Sequence, residues 1–143
     1  MQILYFRDIN PHEELNDSLS RFWEGQSYDA ETQKFAEVLA RGTLENRPAI
    51  DVQIKKVTEN WELDRIAAVD RNVLRLAIYE MMFREDVPPV VSINEAIEIA
   101  KKFSTKESGK FVNGILDRIR KELPRPARTS GGAAGESAPP KPS

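Results

Sequence analysis

Residues 73–83 form a helix-length run that is apolar around most of its circumference. The run reads Val-Leu-Arg-Leu-Ala-Ile-Tyr-Glu-Met-Met-Phe, with one arginine and one glutamate as its only charges. A helix that lacks a broad polar face is stable only when other elements cover it. The segment therefore predicts a buried central helix with further helices packed around it.

The sequence on both sides supplies those helices. Apolar side chains recur three and four positions apart, without the alternation of a half-buried strand. We expect a truncated first helix at residues 1–8, a second from Pro11, a third capped by Asp29 and a fourth that starts at Pro48. The apolar side chains that should point inward from the third helix are Phe35, Val38, Leu39 and Leu44. A short helical turn at residues 61–66 should precede the central helix.

Two more helices are predicted after the central one, each opening with a capping box. Ser92 is followed by Glu95 and Ser104 by Glu107, the spacing at which two side chains satisfy two amides reciprocally. The predicted inward stripe of the first is Ile93, Ala96, Ile97, Ala100 and Phe103. That of the second is Val112, Ile115, Leu116, Ile119 and Leu123. The fold class is therefore all-α, a compact bundle of six to seven helices, with Asp70 placed to cap the central one.

The end of the chain differs in composition. Residues 124–143 contain no large apolar side chain and are rich in Pro, Gly, Ser and Ala. Such a segment cannot bury enough surface to offset the entropy of ordering it. We expect one folded domain at residues 1–123 and a disordered tail at residues 124–143.

Several classes of function lack the residues that they need. The chain has no cysteine, and its one histidine, His12, stands beside Pro11. No glycine-rich phosphate loop, nucleophile elbow or metal-ligand spacing occurs. Neither a signal peptide nor an apolar run long enough for a membrane span is present. We expect a cytoplasmic binding protein rather than an enzyme, with no metal and no cofactor.

Charge is distributed unevenly around a net value of −2. Residues 1–60 hold 7 basic and 11 acidic side chains, whereas residues 92–121 hold 7 basic and 4 acidic ones. The asymmetry is consistent with a basic face on an acidic protein, and equally with chance variation on solvated surfaces.

Phe111 lies about 90° from the middle of the inward stripe of the last helix, at 100° per residue. The side chains that share its flank are Glu107, Lys110, Gly114 and Arg118. A ring among cations suits single-stranded RNA, whose bases stack on the ring while the cations meet phosphates. Packing at the edge of the core is the more common reason for an aromatic side chain on a helix flank, so periodicity alone favours that reading of Phe111. Arg71 and Arg75 on the central helix have the same two readings, a phosphate contact or a structural salt bridge.

The residues that settle the choice belong to longer motifs. They are Gln2-Ile-Leu-Tyr5, Trp61, Val69-Asp-Arg71, Leu74-Arg-Leu-Ala77, Tyr79-Glu80, Val87-Pro88, Ile93-Asn-Glu-Ala96, Ala100-Lys101, Phe103 and Phe111-Val-Asn-Gly-Ile-Leu-Asp117. Together they resemble the NusB transcription antitermination family. The resemblance implies two three-helix subdomains that share a long central helix, and no enzymatic activity.

The resemblance also implies partners. Proteins of this family bind the single-stranded boxA element of nascent ribosomal RNA together with the ribosomal protein NusE. The complex joins other Nus factors and RNA polymerase and favours read-through. The RNA-contacting positions that it implies here are Lys106, Glu107, Ser108, Lys110, Phe111, Arg75 and Lys102. Tyr5 and Asp70 match positions on the face that meets NusE.

Two further readings and one departure remain. A NusB-like domain also precedes some ribosomal RNA cytosine methyltransferases, but their catalytic cysteine is absent from this chain. A structural helical homodimer is the other reading. The departure is at Met1, which falls inside the first motif, whereas the family carries an arginine-rich stretch before it. We expect the natural start to lie upstream.

Overall fold

The structure is a computed structural model that describes residues 1–58 and 63–123. This part of the chain contains seven α-helices and a 3₁₀ turn at Leu63–Arg65, with no strand. The helices are α1 (Gln2–Ile9), α2 (Leu15–Trp23), α3 (Ala30–Glu45), α4 (Arg47–Val57), α5 (Ala68–Phe83), α6 (Pro89–Phe103) and α7 (Lys106–Glu122). The predicted all-α fold class is confirmed. The expected tail at residues 124–143 and the start of the expected turn at 61–66 lie outside the described residues.

Two apolar clusters divide the bundle. The smaller one is built on Ile3, Leu4, Leu19 and Ala40 from α1–α3. The larger one takes its buried side chains from α4–α7 and from Ile66. Leu76 of α5 packs against the smaller cluster while its neighbours on α5 belong to the larger one. The two subdomains therefore meet along α5, as the resemblance implies.

Helix α5 is the centre of the fold. It contacts α1, α3, α4, α6 and α7. The α5 side chains that are at most 2 % exposed include Val73, Leu74, Ala77, Ile78 and Met81. Complete burial of each larger one contributes about 1.5–3 kcal/mol. The prediction drawn from the apolar circumference of this segment is confirmed.

Buried polar side chains join α5 to two neighbouring helices. Arg75 is 3 % exposed, and its Nε and Nη2 donate to the two carboxylate oxygens of Asp51 on α4 at 2.9 and 3.2 Å. Arg71 Nη2 and Asn72 Nδ2 donate to Asp8 Oδ2, at the end of α1, at 2.7 and 3.0 Å. Burial alone would raise the pKa of Asp8, but these hydrogen bonds and the two guanidinium charges hold it below its ordinary value.

Several helix starts differ from prediction. The Asp29 cap of α3 is confirmed, since its carboxylate accepts the Thr32 amide at 2.7 Å. Helix α2 begins at Leu15 behind Glu14 instead of at Pro11. Helix α5 begins at Ala68, which places Asp70 inside its first turn instead of at the cap.

Both predicted capping boxes are wrong. Helix α6 begins at Pro89, because a proline at the first turn already has the required φ, and Ser92 is buried within the helix. Helix α7 is capped by Thr105, one residue after Ser104. The Thr105 hydroxyl accepts the Ser108 amide at 3.0 Å.

Three apolar side chains expected to point inward are exposed: Phe35 (56 %), Val38 (49 %) and Phe103 (41 %). On α3 the buried positions are the small residues Ala40 and Thr43. The neighbouring helix leaves no room for larger ones, because a Cβ at Gly42 would lie 2.2 Å from the Tyr79 hydroxyl. Phe35 and Val38 lie outside this contact, whereas Leu44 packs against the smaller cluster.

Candidate nucleic-acid interface

The end of α6 and the start of α7 together present a basic surface. We call Lys101, Lys102, Phe103, Lys106 and Lys110 the α6–α7 surface; all five are exposed. Within the described residues, no carboxylate oxygen lies within 4 Å of the ammonium groups of Lys102, Lys106 and Lys110. Lys101 is paired with Glu98 at 3.5 Å. The first turn of α7 adds the positive end of a 17-residue helix.

Phe103 was predicted from the sequence to point into the core. It is 41 % exposed, and Lys102 Nζ lies 5.4 Å from the centre of its ring. The local pattern hid this position, because Phe103 continues the three-and-four spacing of Ala96 and Ala100. Its place in the last turn of α6 carries the ring past the helices that would cover it. An exposed ring beside a cation is the arrangement that stacks a base.

Phe111 is half-buried and packs against the larger apolar cluster. The structure thus places it at the edge of the core, with part of the ring accessible. Gly114 on the same flank has open space around it, since a Cβ there would meet nothing within 4 Å. Close approach of another helix therefore does not explain Gly114. Arg118 is exposed, and one of its guanidinium nitrogens donates to the carbonyl oxygen of Val57 at 2.9 Å.

Gly109 lets α6 and α7 approach closely behind this surface. A Cβ at Gly109 would lie 2.7 Å from Cγ of Lys101 and 3.6 Å from Cγ2 of Ile97. The contact passes under the aliphatic part of Lys101, so a larger residue at position 109 would displace that lysine.

The remaining sequence-predicted RNA positions divide into two groups. Glu107 is exposed between the lysines of α7. Ser108 is 8 % exposed, and its hydroxyl donates to Asp70 Oδ2 at 3.2 Å, beneath the surface. Arg75 is enclosed in its ion pair with Asp51 and is removed from the α6–α7 surface by burial. Of the two readings of Arg75, a phosphate contact or a structural salt bridge, the structure shows the salt bridge.

The two positions expected to meet a protein partner also differ. Tyr5 on α1 is 36 % exposed and accessible. Asp70 is 7 % exposed, with its carboxylate turned towards Ser108. Burial, the dominant influence, raises the pKa of Asp70, and the Ser108 hydrogen bond opposes the rise. The structure thus places the Asp70 carboxylate in the interior, between α5 and α7.

Residues 1–58 and 63–123 form neither a cluster of metal ligands nor a helix that could span a membrane. No group of three or more His, Asp or Glu side chains there is arranged to hold a metal ion. None of the described helices combines the length and the apolar character needed to cross a membrane. His12 is exposed in the connection between α1 and α2.

Comparisons with known proteins bear on the whole bundle. Residues 1–121 match the model of the NusB family. Transcription antitermination protein NusB of Anaeromyxobacter dehalogenans strain 2CP-1 is 50% identical over 129 residues, which cover 90% of this chain and 89% of that protein. The structure of T. maritima NusB is similar with a TM-score of 0.76 and 46% identity, over 85% of this chain and 84% of that one.

A further similar structure is described as antitermination factors NusB and NusE in complex with dsRNA. It matches with a TM-score of 0.75 and 27% identity, over 85% of this chain and 89% of that chain.

Proposed function

Because this chain belongs to the NusB family, we propose that it is a transcription antitermination factor that binds single-stranded boxA-type RNA through the α6–α7 surface. The observation that carries the proposal is the group of exposed lysines beside the exposed ring of Phe103. Phosphates would meet Lys102, Lys106 and Lys110 while a base stacks on the ring. Each stacked base contributes about 1–3 kcal/mol.

Phe111 and Glu107 complete the proposed surface. The accessible edge of Phe111 offers a second, smaller apolar contact for a base. Glu107 carries the wrong charge for phosphate, but its carboxylate can accept hydrogen bonds from base amino groups. Ser108 and Arg75 are left out, because both side chains are buried.

We also propose that the protein works with NusE, and that the accessible ring of Tyr5 belongs to the contact. The similar structure that contains NusB, NusE and RNA supports this proposal. On the strength of family membership, we extend the proposal to assembly with other Nus factors and RNA polymerase in the cytoplasm and to read-through of ribosomal RNA operons. Binding rather than catalysis fits the exposed position of the one histidine.

The RNA surface is tested with charge-matched variants. Lys106→Ala/Lys110→Ala removes two lysines from the α6–α7 surface, and Lys34→Ala/Lys55→Ala removes two exposed lysines from α3 and α4. Titration of a fluorescent boxA-type RNA should show weaker binding for the first variant and near-parent binding for the second. Equal losses in both variants would mean that only overall charge matters. No binding by the parent, with or without NusE, would refute the function.

The partner contact is tested with two tyrosines. Tyr5→Ala should reduce the gain in RNA affinity that NusE produces, whereas Tyr28→Ala, which removes a ring that is 53 % exposed elsewhere, should leave it unchanged. Light scattering on the same samples identifies a homodimer. If a homodimer forms and NusE does not displace it, the heterodimer proposal is wrong.

A further inference from the structure

Asp70 is an incompletely satisfied buried carboxylate. Its Oδ2 accepts the Ser108 hydroxyl, whereas its Oδ1 is buried and has no hydrogen-bond donor among the described residues. Burial of a charged group with one neutral donor costs stability. Packing alone therefore does not account for an aspartate at this place, so its hydrogen bond with Ser108 is the interaction that could explain it.

The bond reaches the connection between α6 and α7. There the Ser108 amide donates to Thr105 Oγ1 at 3.0 Å, and Ser108 Oγ lies 2.9 Å from Ser104 Oγ. Ser108 has one hydroxyl hydrogen and two acceptors near it, Asp70 and Ser104. A carboxylate is the stronger acceptor, so Asp70 orients the hydroxyl group.

The oriented residue lies directly beneath the proposed RNA surface. Ser108 stands between Lys106 and Lys110, and it is the only one of the three whose side chain is buried. Its bond to Asp70 joins the first turn of α7 to the first turn of α5. The rotation of α7 about its own axis at this turn decides where both lysines project.

We infer that Asp70 is a positioning residue for the α6–α7 surface: it holds the Ser108 hydroxyl and thereby fixes the first turn of α7 against α5. The inference rests on the proposed function and assigns Asp70 a role other than direct contact with NusE. A change at Asp70 would alter RNA binding through α7, without any contact between Asp70 and RNA.

The first test is a double-mutant cycle on the dissociation constant for boxA-type RNA. Asp70→Ala and Ser108→Ala should each weaken binding about three- to tenfold, and the double variant should be no weaker than the weaker single one. Asp70→Asn retains a carbonyl oxygen, which still accepts a hydrogen bond better than the Ser104 hydroxyl does, and this variant should bind within about twofold of the parent. Asp86→Asn controls for the lost negative charge, and Ser20→Ala, at an exposed position of α2, controls for the lost hydroxyl.

All variants are measured well below their melting temperatures. A merely structural Asp70 would lower the melting temperature and leave the dissociation constant of the folded protein unchanged, which would overturn the inference. Losses that multiply in the double variant would also overturn it, because they would show that the two residues act separately. If Asp70→Ala does not fold, Ser108→Ala and Asp70→Asn still decide, since the first should weaken binding and the second should not.

The second test needs no RNA. The backbone amides of residues 108 and 109 should exchange hydrogen about tenfold faster in Ser108→Ala and Asp70→Ala than in the parent and in Ser20→Ala. If exchange responds but the parent does not bind RNA, the proposed function fails and the positioning role stands. If the parent binds RNA and neither exchange nor affinity responds, the positioning role fails alone.

Discussion

The buried ion pair of Arg75 and Asp51 permits a prediction in which the two partners are not equivalent. Asp51→Ala leaves a guanidinium that is 3 % exposed with Asn72 at 3.5 Å and Asp8 at 3.8 Å. Loss of one partner of a buried pair costs about 3–5 kcal/mol, and because these contacts remain we expect a cost of about 3 kcal/mol.

The opposite substitution should cost less. Arg75→Met removes the charge from the interior, and the Asp51 carboxylate that remains is 17% exposed and 3.6 Å from Arg47. We expect about 1–2 kcal/mol for this change. The double variant should be more stable than the sum of the single losses implies, by about 1–3 kcal/mol, because no charge is left buried without a partner.

Urea unfolding followed by circular dichroism gives these free energies. A loss below about 1 kcal/mol for Asp51→Ala, or strictly additive losses, would refute the assignment of a buried pair. RNA titration of Arg75→Met adds an independent check. Binding should stay near that of the parent, because Arg75 lies away from the α6–α7 surface.

Three further results are expected. Thr105→Ala should lower the free energy of unfolding by about 1 kcal/mol, because α7 loses its N-cap. Thr105→Ser keeps the hydroxyl acceptor and should leave the stability unchanged. Equal losses in the two variants would contradict the assignment of Thr105 as the cap. Asp8→Asn should be less stable than the parent at neutral pH. Because the pKa of Asp8 is lowered in the folded state, the difference in free energy of unfolding between the two proteins should close as the pH falls below about 4. A constant difference down to about pH 2 would show that the charge of Asp8 is not involved. Phe35→Ser should lower the free energy of unfolding by at most about 1 kcal/mol, because Phe35 is exposed. Ile54→Ala should lower it by about 2–5 kcal/mol, because Ile54 is fully buried. A larger loss for Phe35→Ser than for Ile54→Ala would mean that Phe35 points inward.

The fold was predictable because its main signal is strong. The apolar circumference of residues 73–83 specifies a central helix, and the spacing of residues 112–119 specifies the stripe that covers it. Caps were less predictable. Ser92 and Ser104 have the spacing of a capping box, but Pro89 and Thr105 begin the helices, and local patterns do not rank such competing starts.

The candidate site was predictable in charge but not in packing. The lysines of α6 and α7 are exposed, which both readings of the charge asymmetry allow. Burial of Arg75 and Asp70 depends on Asp51 and Ser108, which are 24 and 38 positions away in the chain, so no local pattern reveals it. The exposure of Phe103 was not predicted, because the spacing of apolar residues along a helix does not show where the neighbouring helices end.

The salt dependence of RNA binding tests the central claim most directly. On a logarithmic plot of affinity against salt concentration, each phosphate contact with a single strand contributes about 0.7 to the slope. Lys106→Ala/Lys110→Ala should therefore reduce the slope of the parent by about 1.4, and Lys34→Ala/Lys55→Ala should leave it unchanged. An unchanged slope for the first variant, or an equal reduction in both, would contradict RNA binding at the α6–α7 surface.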